Sequence, residues 1–322
     1  MQCIFCFTDA PGTNEHVFQE AIGGSFSIRR VCKRCNDRLG SDVDPLLTDH
    51  PMALMHRHMF GLKGKSGTIP PLLRKGTINV ESRFGERMVE AQNIVDPRTG
   101  VFRAQLIPKI FNDIGADGNG QISAVFSKET DARKWFANEL RRRKMLPDTT
   151  AQLDALFDAS IEVGTIKQQT VTYPLTIDLL GFRTPLIKIA YELGWHWLGD
   201  TWLQDPVAKR MRKVMRSHNT RGVLPIRGTI GVSGHSDFFD PLSSWLKVEP
   251  CEHCAMLIRV DQQVAIIVTV FNYFQECIQL SAAADKYSAA DLRNGGGRVL
   301  LLNSQAGTWT EESLLDACNR RR

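Results

Sequence analysis

The sequence predicts an α+β chain in which a small, cysteine-stapled N-terminal module precedes a larger α+β region. Four of the eight cysteines form two Cys-x2-Cys pairs near the start. After residue 76, helical apolar periodicity and β-branched stretches both recur. A Gly-, Lys- and Pro-rich connector, Gly61 to Pro71, lies between the two parts. At 322 residues the chain exceeds the roughly 250 to 300 at which single cores stop growing, so two domains are expected. The expected division is 1–60 for the module, 61–75 for a linker and 76–322 for a recognition or regulatory region, with a further division near 180 left open.

Taken in order, Thr77-Ile78-Asn79-Val80 and Met88-Val89-Glu90-Ala91 flank Phe84-Gly85-Glu86 and read as a hairpin, with Asp96 to Gly100 as the next turn. A helix is expected from Glu129 to Met145, N-capped by Ser127 and ending in basic residues that suit its dipole. A second covers Ala151 to Ala159. Leu186, Ile187, Ala190, Leu193, Trp197 and Leu198 recur at helical spacing between Pro185 and Leu203, and Asp205-Pro206 starts a further, basic helix paired with it. Strands are expected around Gly222–Val232, Ala255–Val260 and Gln263–Gln279, with Asp261-Gln262 as a turn, before a terminal helix near Glu311–Arg320.

A hydrophobic fraction of 43% with 23% charged residues excludes a largely disordered or fibrous chain. The longest apolar run, Val264 to Phe271, is far short of the roughly 18 residues that cross a bilayer, so no membrane role is expected. The first nine residues hold two cysteines and an acid where a secretion signal has a basic start, and a cytoplasmic location is expected. A formal charge of +5 is compatible with a polyanionic partner without establishing one.

Cys3-x2-Cys6 and Cys32-x2-Cys35 are read as ligands of a structural Zn(II), each pair wrapping one side of a tetrahedron. The 25 residues between the pairs cost little, because loop-closure entropy grows slowly with length. Reduced, partly buried thiols are the alternative, and they would not need the same tight spacing twice.

Between the pairs lie Glu15-His16-Val17 and Gly23-Gly24, and Asn36 follows the last cysteine. In this string residues 3–47 resemble the HNH endonuclease superfamily, specifically the cysteine-bearing ββα-metal members whose first His follows an acid. The resemblance implies a ββα-metal module that hydrolyses phosphodiester bonds, with His16 as general base and Glu15 and Asn36 as oxygen ligands of a catalytic divalent ion. Such hydrolysis needs a base for the attacking water and a cation for the developing charge. An imidazole whose second nitrogen is held by a backbone carbonyl suits the first role. Hard oxygen donors suit Mg(II) or Mn(II) for the second. Asp44 is expected to help the ion through a water or to hold the helix after Asn36, with Asp42 the less favoured substitute.

Two features depart from the family pattern. No Asn lies between His16 and Cys32, so the residue that orients the base in the family has no counterpart, and Asn36 stands where many members have a His. Adjacent strand residues also point to opposite faces, so Glu15 and His16 must be splayed to meet. A surface or capping role is the plain alternative for His16, and an N-cap of a helix near Asp37 is that for Asn36.

Arg29, Arg30, Lys33, Arg34 and Arg38 surround the second cysteine pair and are expected to hold phosphates without reading sequence, some of them also balancing thiolates. Cys251-x2-Cys254 with His253 and His235 lacks a second pair at zinc spacing and is read as core or turn. The helix carrying Lys209, Arg210, Arg212, Lys213 and Arg216 is read equally as a nucleic-acid contact or a solvated face. Trp195, Trp197 and Trp202 with His196 are read as core, and Gly231 to Asp240 is assigned no chemistry.

The expected function is a metal-dependent endonuclease, preferably on DNA, with the remaining residues recognising, sensing or assembling, as in bacterial restriction or defence nucleases. A catalytically silent zinc module that binds nucleic acid is one alternative. The other is an effector nuclease inactive until its C-terminal region meets a ligand or partner. A single module nicks one strand at a time, so double-strand cutting calls for a homodimer or two encounters.

Overall fold

A computed structural model describes residues 1–72, 76–82, 85–95, 102–114, 120–161, 181–217, 226–231, 246–287 and 296–321. Contacts divide the chain into two compact units, Met1–Ile69 with Ile177–Arg322, and Pro70–Thr176. This grouping differs from the sequential division read from composition, because the N-terminal residues share one hydrophobic core with the C-terminal half.

The first unit opens with an antiparallel hairpin of β1 (Gly12–His16) and β2 (Ser27–Cys32), whose register shifts between Thr13 and Glu15. Strand β2 runs directly into α1 (Lys33–Arg38), and a π-helical turn over Leu39–Val43 leads to α2 (Pro45–Thr48) and α3 (Pro51–Phe60). This gives the expected ββα order. His50 caps α3 by accepting the Met52 N–H at Nδ1, and Gly61 ends it at φ 70°.

Helix α6 (Arg183–Leu198) is the hub of this unit. Leu186, Ile187, Ile189, Ala190, Tyr191 and Leu193 are all fully buried, and so are Lys188 and Glu192. A helix enclosed on all sides belongs inside a core. It ends at Gly199, so the expected helix through Leu203 instead continues as a 3-10 turn over Asp200–Gln204. Helix α7 (Pro206–Ser217) follows, capped by the Asp205 carboxylate accepting the Val207 N–H at 2.8 Å. Gly194 lets the fully buried Trp202 indole lie against α6, since a Cβ there would stand 2.7 Å from the ring.

A six-stranded antiparallel sheet completes the unit in the order β13-β12-β9-β10-β11-β8. Its strands are β8 (Ile226–Gly231), β9 (Glu252–Val260), β10 (Gln263–Val270), β11 (Phe274–Ser281), β12 (Arg298–Asn303) and β13 (Thr308–Ser313). Side chains alternate between two cores: Leu257, Ile266, Val268 and Leu300 join the one that includes α6, while Met256, Ile258, Ile267 and Leu301 join one with Leu246 and Ala317. Burial on both faces explains why residues 264–270 are apolar without alternation. The expected single strand Gln263–Gln279 folds in two at Phe271 and Asn272, both at positive φ. The expected terminal helix starts late, since Thr308–Ser313 extends the sheet and only Leu314–Arg320 is helical (α8), capped by Ser313.

The second unit holds the three-stranded sheet β3 (Gly76–Ser82), β4 (Gly85–Val95) and β5 (Phe102–Leu106), the hairpin β6 (Lys109–Ile114) and β7 (Gly120–Val125), and helices α4 (Glu129–Arg142) and α5 (Thr150–Ser160). Arg133 joins the two helices by pairing with Glu129, Asp154 and Asp158. Lys128, not Ser127, precedes α4, and the Ser127 hydroxyl donates to the Leu106 carbonyl instead. The expected turn at Asp96–Gly100 lies outside the described residues. No helix among the described residues is long and apolar enough to cross a membrane.

Candidate metal centre and nuclease site

The first cysteine pair sits in a tight knuckle. The Cys3 N–H donates to the Thr8 carbonyl, the Phe7 N–H donates to the Cys3 carbonyl, and Phe7 adopts φ 61° to close the turn. The second pair straddles the start of α1, with Cys32 as its N-cap residue and Cys35 in its first turn. All four Sγ atoms lie within 4.8 Å of one another, and Cys6 Sγ stands 3.7 Å from Cys32 Sγ. A tetrahedron with metal–sulfur arms of about 2.3 Å has edges of about 3.8 Å, so the cluster fits a four-coordinate ion. Burial pushes the Cys3 and Cys35 thiols up. Burial also acts on Cys6, but hydrogen bonds from Thr8 and from neighbouring thiols outweigh it and hold that thiol down at about 6.

His16 ends β1 half-buried, with Nδ1 3.0 Å from the Gly24 carbonyl oxygen. The contact requires Nδ1–H to donate, which puts the lone pair on Nε2. Nε2 stands 3.5 Å from the Asn14 amide, whose oxygen accepts from Ser27 across the hairpin at 2.9 Å. The two glycines aim that carbonyl. Gly23 adopts φ 87° after the 3-10 turn Glu20–Ile22, and a Cβ on Gly24 would collide with the Phe18 carbonyl. Gly24 thus supplies the orientation for which the sequence offered no Asn.

Asn36 lies inside α1, which begins at Lys33, so it is not an N-cap. Its amide donates to Thr13 Oγ1 at 2.9 Å and to the Asn14 carbonyl at 3.0 Å, stapling the helix to β1 beside His16.

Glu15 points the other way. Its carboxylate is 3% exposed and 2.5 Å from Lys188 Nζ of α6. The same ammonium lies 3.3 Å from Asp44 Oδ1 and 3.8 Å from Glu192 Oε2, and it donates to the His16 carbonyl at 2.9 Å. Burial alone would pull the lysine down, yet the carboxylates of Asp44, Glu192 and Glu15 more than reverse this, so it stays an ammonium. Burial pushes Glu192 far above the usual carboxylate range. Asp44 also accepts from Gln19 Nε2, and the exposed Asp42 accepts from Ser41. Two of the donors that the resemblance assigns to Mg(II) or Mn(II), Glu15 and Asp44, do not fit that ion here, because they are already closed around Lys188.

The basic residues separate into two groups. Arg30 is engaged, bonded to Asp200 and to the Gln2 carbonyl with its guanidinium over Trp195. Lys33 pairs with Asp37 four residues on, an exposed contact of little weight. Arg29 and Arg34 are exposed, and Arg38 is half-buried.

Sequence reading did not assign a site role to Lys188 or His253. The signal for the first was a Lys and a Glu, four apart, in an otherwise apolar helix. His253 is fully buried on β9, donating from Nε2 to the Ile22 carbonyl at 2.8 Å and accepting the Phe271 N–H at Nδ1. Its ring stacks on Phe18. It thereby ties the sheet to the turn that carries Gly24. With both nitrogens occupied it cannot also bind a metal, and Cys3, Cys6, Cys32 and Cys35 form the metal-competent cluster found among the described residues. His235 and most of Gly231–Asp240 lie outside those residues. Trp202 is core, while Trp195 and Trp197 pack partly buried against it.

A four-cysteine cluster staples a ββα hairpin and helix, with a half-buried imidazole at the end of the first strand. Residues 3–52 match the family model described as HNH endonuclease, so this part of the chain is an HNH segment. The match covers 50 of 322 residues. No curated protein and no solved structure matches the chain.

Proposed function

We propose that the HNH segment hydrolyses phosphodiester bonds in nucleic acid, with DNA the preferred substrate, Zn(II) at the four cysteines and His16 as the general base. The observation that carries this reading is the His16–Gly24 hydrogen bond, which fixes the tautomer and puts the lone pair on Nε2, the atom that would take a proton from water. Arg29, Arg34 and Arg38 are the side chains that hold flanking phosphates. Lys33 adds charge to this face, while Arg30 acts through the packing of β2. The divalent requirement, Mg(II) or Mn(II), comes from the resemblance, with Asn36 the assigned donor left beside His16. A cytoplasmic defence or restriction role, a homodimer for double-strand cutting and activation by a ligand or partner are parts of the same reading.

The test is supercoiled plasmid with wild type and His16→Ala, each with Mg(II), Mn(II) or EDTA, alongside zinc analysis. The expected result is metal-dependent nicking that falls at least about 100-fold in His16→Ala, with zinc retained. One observation favours a second reading, a silent module that binds nucleic acid: the closure of Glu15 and Asp44 on Lys188. It predicts salt-sensitive DNA binding with no cleavage in any metal.

A further inference from the structure

The resemblance makes Glu15 a ligand of a divalent ion, yet its carboxylate already faces a cation. Lys188 Nζ has four oxygens around it: Glu15 at 2.5 Å, the His16 carbonyl at 2.9 Å, Asp44 at 3.3 Å and Glu192 at 3.8 Å. An all-oxygen shell with acidic members is the environment a hard cation takes in a protein. The lysine is entirely buried, and its helix is enclosed on nearly every side, so the ammonium cannot swing out to admit another ion. Withdrawal would strand the Glu15 carboxylate in the core without its counter-charge, which is far costlier than an exposed pair breaking.

We propose that Lys188 is the resident cation of the Glu15–Asp44 pocket, so that Glu15 is a positioning residue and any divalent ion of the nuclease site is held without it. The inference refines the nuclease reading and rests on it for the identity of that ion. Lys188 grips the end of β1 on both sides of the Glu15–His16 peptide, through the Glu15 carboxylate and the His16 carbonyl. A residue 172 positions away thereby holds the backbone that presents the base. The HNH segment is completed by α6.

The test uses the zinc-loaded full chain with Mn(II), following the free-ion EPR signal and the thermal midpoint. Glu15→Gln should take up Mn(II) with the wild-type affinity, within about twofold. Lys188→Ala should lose at least about 5 °C of midpoint, and Mn(II) should restore several degrees by entering the vacated pocket. In Glu15→Gln/Lys188→Ala that restoration should fall by half or more. Equal uptake by wild type and Glu15→Gln, including none by either, upholds Lys188 as the cation; none by either also counts against the metal-dependent form of the nuclease reading. A tenfold or greater loss of Mn(II) affinity in Glu15→Gln overturns the proposal, as does a Lys188→Ala protein with the wild-type midpoint or one that Mn(II) steadies no more than wild type. Should Lys188→Ala fold in neither condition, the Glu15→Gln comparison decides alone.

Discussion

Gly24 and His16 form the smallest unit on which the proposed chemistry depends. In the proposed reading the imidazole acts as a base while Nδ1–H is committed to the Gly24 carbonyl, and a Cβ on Gly24 would meet the Phe18 carbonyl. Gly24→Ala should therefore displace the turn and lower cleavage more than stability, whereas Gly40→Ala, where a Cβ meets open space, serves as the matched control. Equal cleavage by the two variants would show that the carbonyl does not orient the base. The cysteines act together instead. Cys32→Ser should lower zinc uptake and, because Cys32 is the N-cap residue of α1, loosen the junction of hairpin and helix, read as zinc content against circular dichroism.

At the scale of elements, the sheet and α6 hold the HNH hairpin from behind. His253 crosses from β9 to the Glu20–Ile22 turn, and burial holds its imidazole down at about 4, with the Ile22 and Glu252 backbone and the Glu252 carboxylate pulling upward and His56 adding to the fall. The unfolded chain binds a proton near pH 6.5 that the folded chain refuses until about 4. Its contribution is thus complete above pH 6.5 and is lost as pH falls toward 4, by roughly 1.4 kcal/mol per pH unit at most. Glu276, raised to about 7 by burial despite Arg183, works in the opposite direction, so the total curve does not isolate either group. The difference between wild type and His253→Gln does: the variant's deficit should be largest at pH 7 and shrink toward pH 4 in urea titrations. A deficit independent of pH would mean that His253 is not held neutral. Gly194→Ala addresses the α6 contact with Trp202 and should cost about 1 to 3 kcal/mol by overpacking, seen as a lower urea midpoint at unchanged slope.

For the whole molecule, the decisive fact is that residues 1–69 and 177–322 share a core. Tyr191 of α6 donates to the Ile4 carbonyl inside the first cysteine knuckle, Arg216 of α7 donates to that of Phe5, and Lys188 reaches Glu15. Residues 1–69 expressed alone should bind zinc at the knuckles yet lack a cooperative thermal transition, because Ile4, Phe5, Leu39 and Val43 lose the partners that cover them. A sharp transition in that fragment, with dispersed amide resonances, would show the HNH segment to be self-sufficient.

Local patterns carried the knuckles, the HNH string and most elements, because each depends on spacing within a few residues. Two Cys-x2-Cys pairs announce a four-cysteine cluster, Glu15-His16 and Gly23-Gly24 announce the proposed base and its turn, and period-3.6 apolarity announces α6. The same local reading placed helix over Glu311–Ser313, which pairs with β12, since an edge strand is decided by its neighbour. It also left the orientation of His16 unexplained, because Gly24 acts through its backbone carbonyl, an acceptor that has no signature of its own in the sequence. What only the tertiary structure decided is the partner of Glu15. An acid before a histidine reads as a metal ligand until a lysine 173 positions later is seen to fill the place of the ion. Sequence determines which residue types can meet a charge, but burial determines which one does, since an unpaired carboxylate in a core takes whichever cation the fold brings to it.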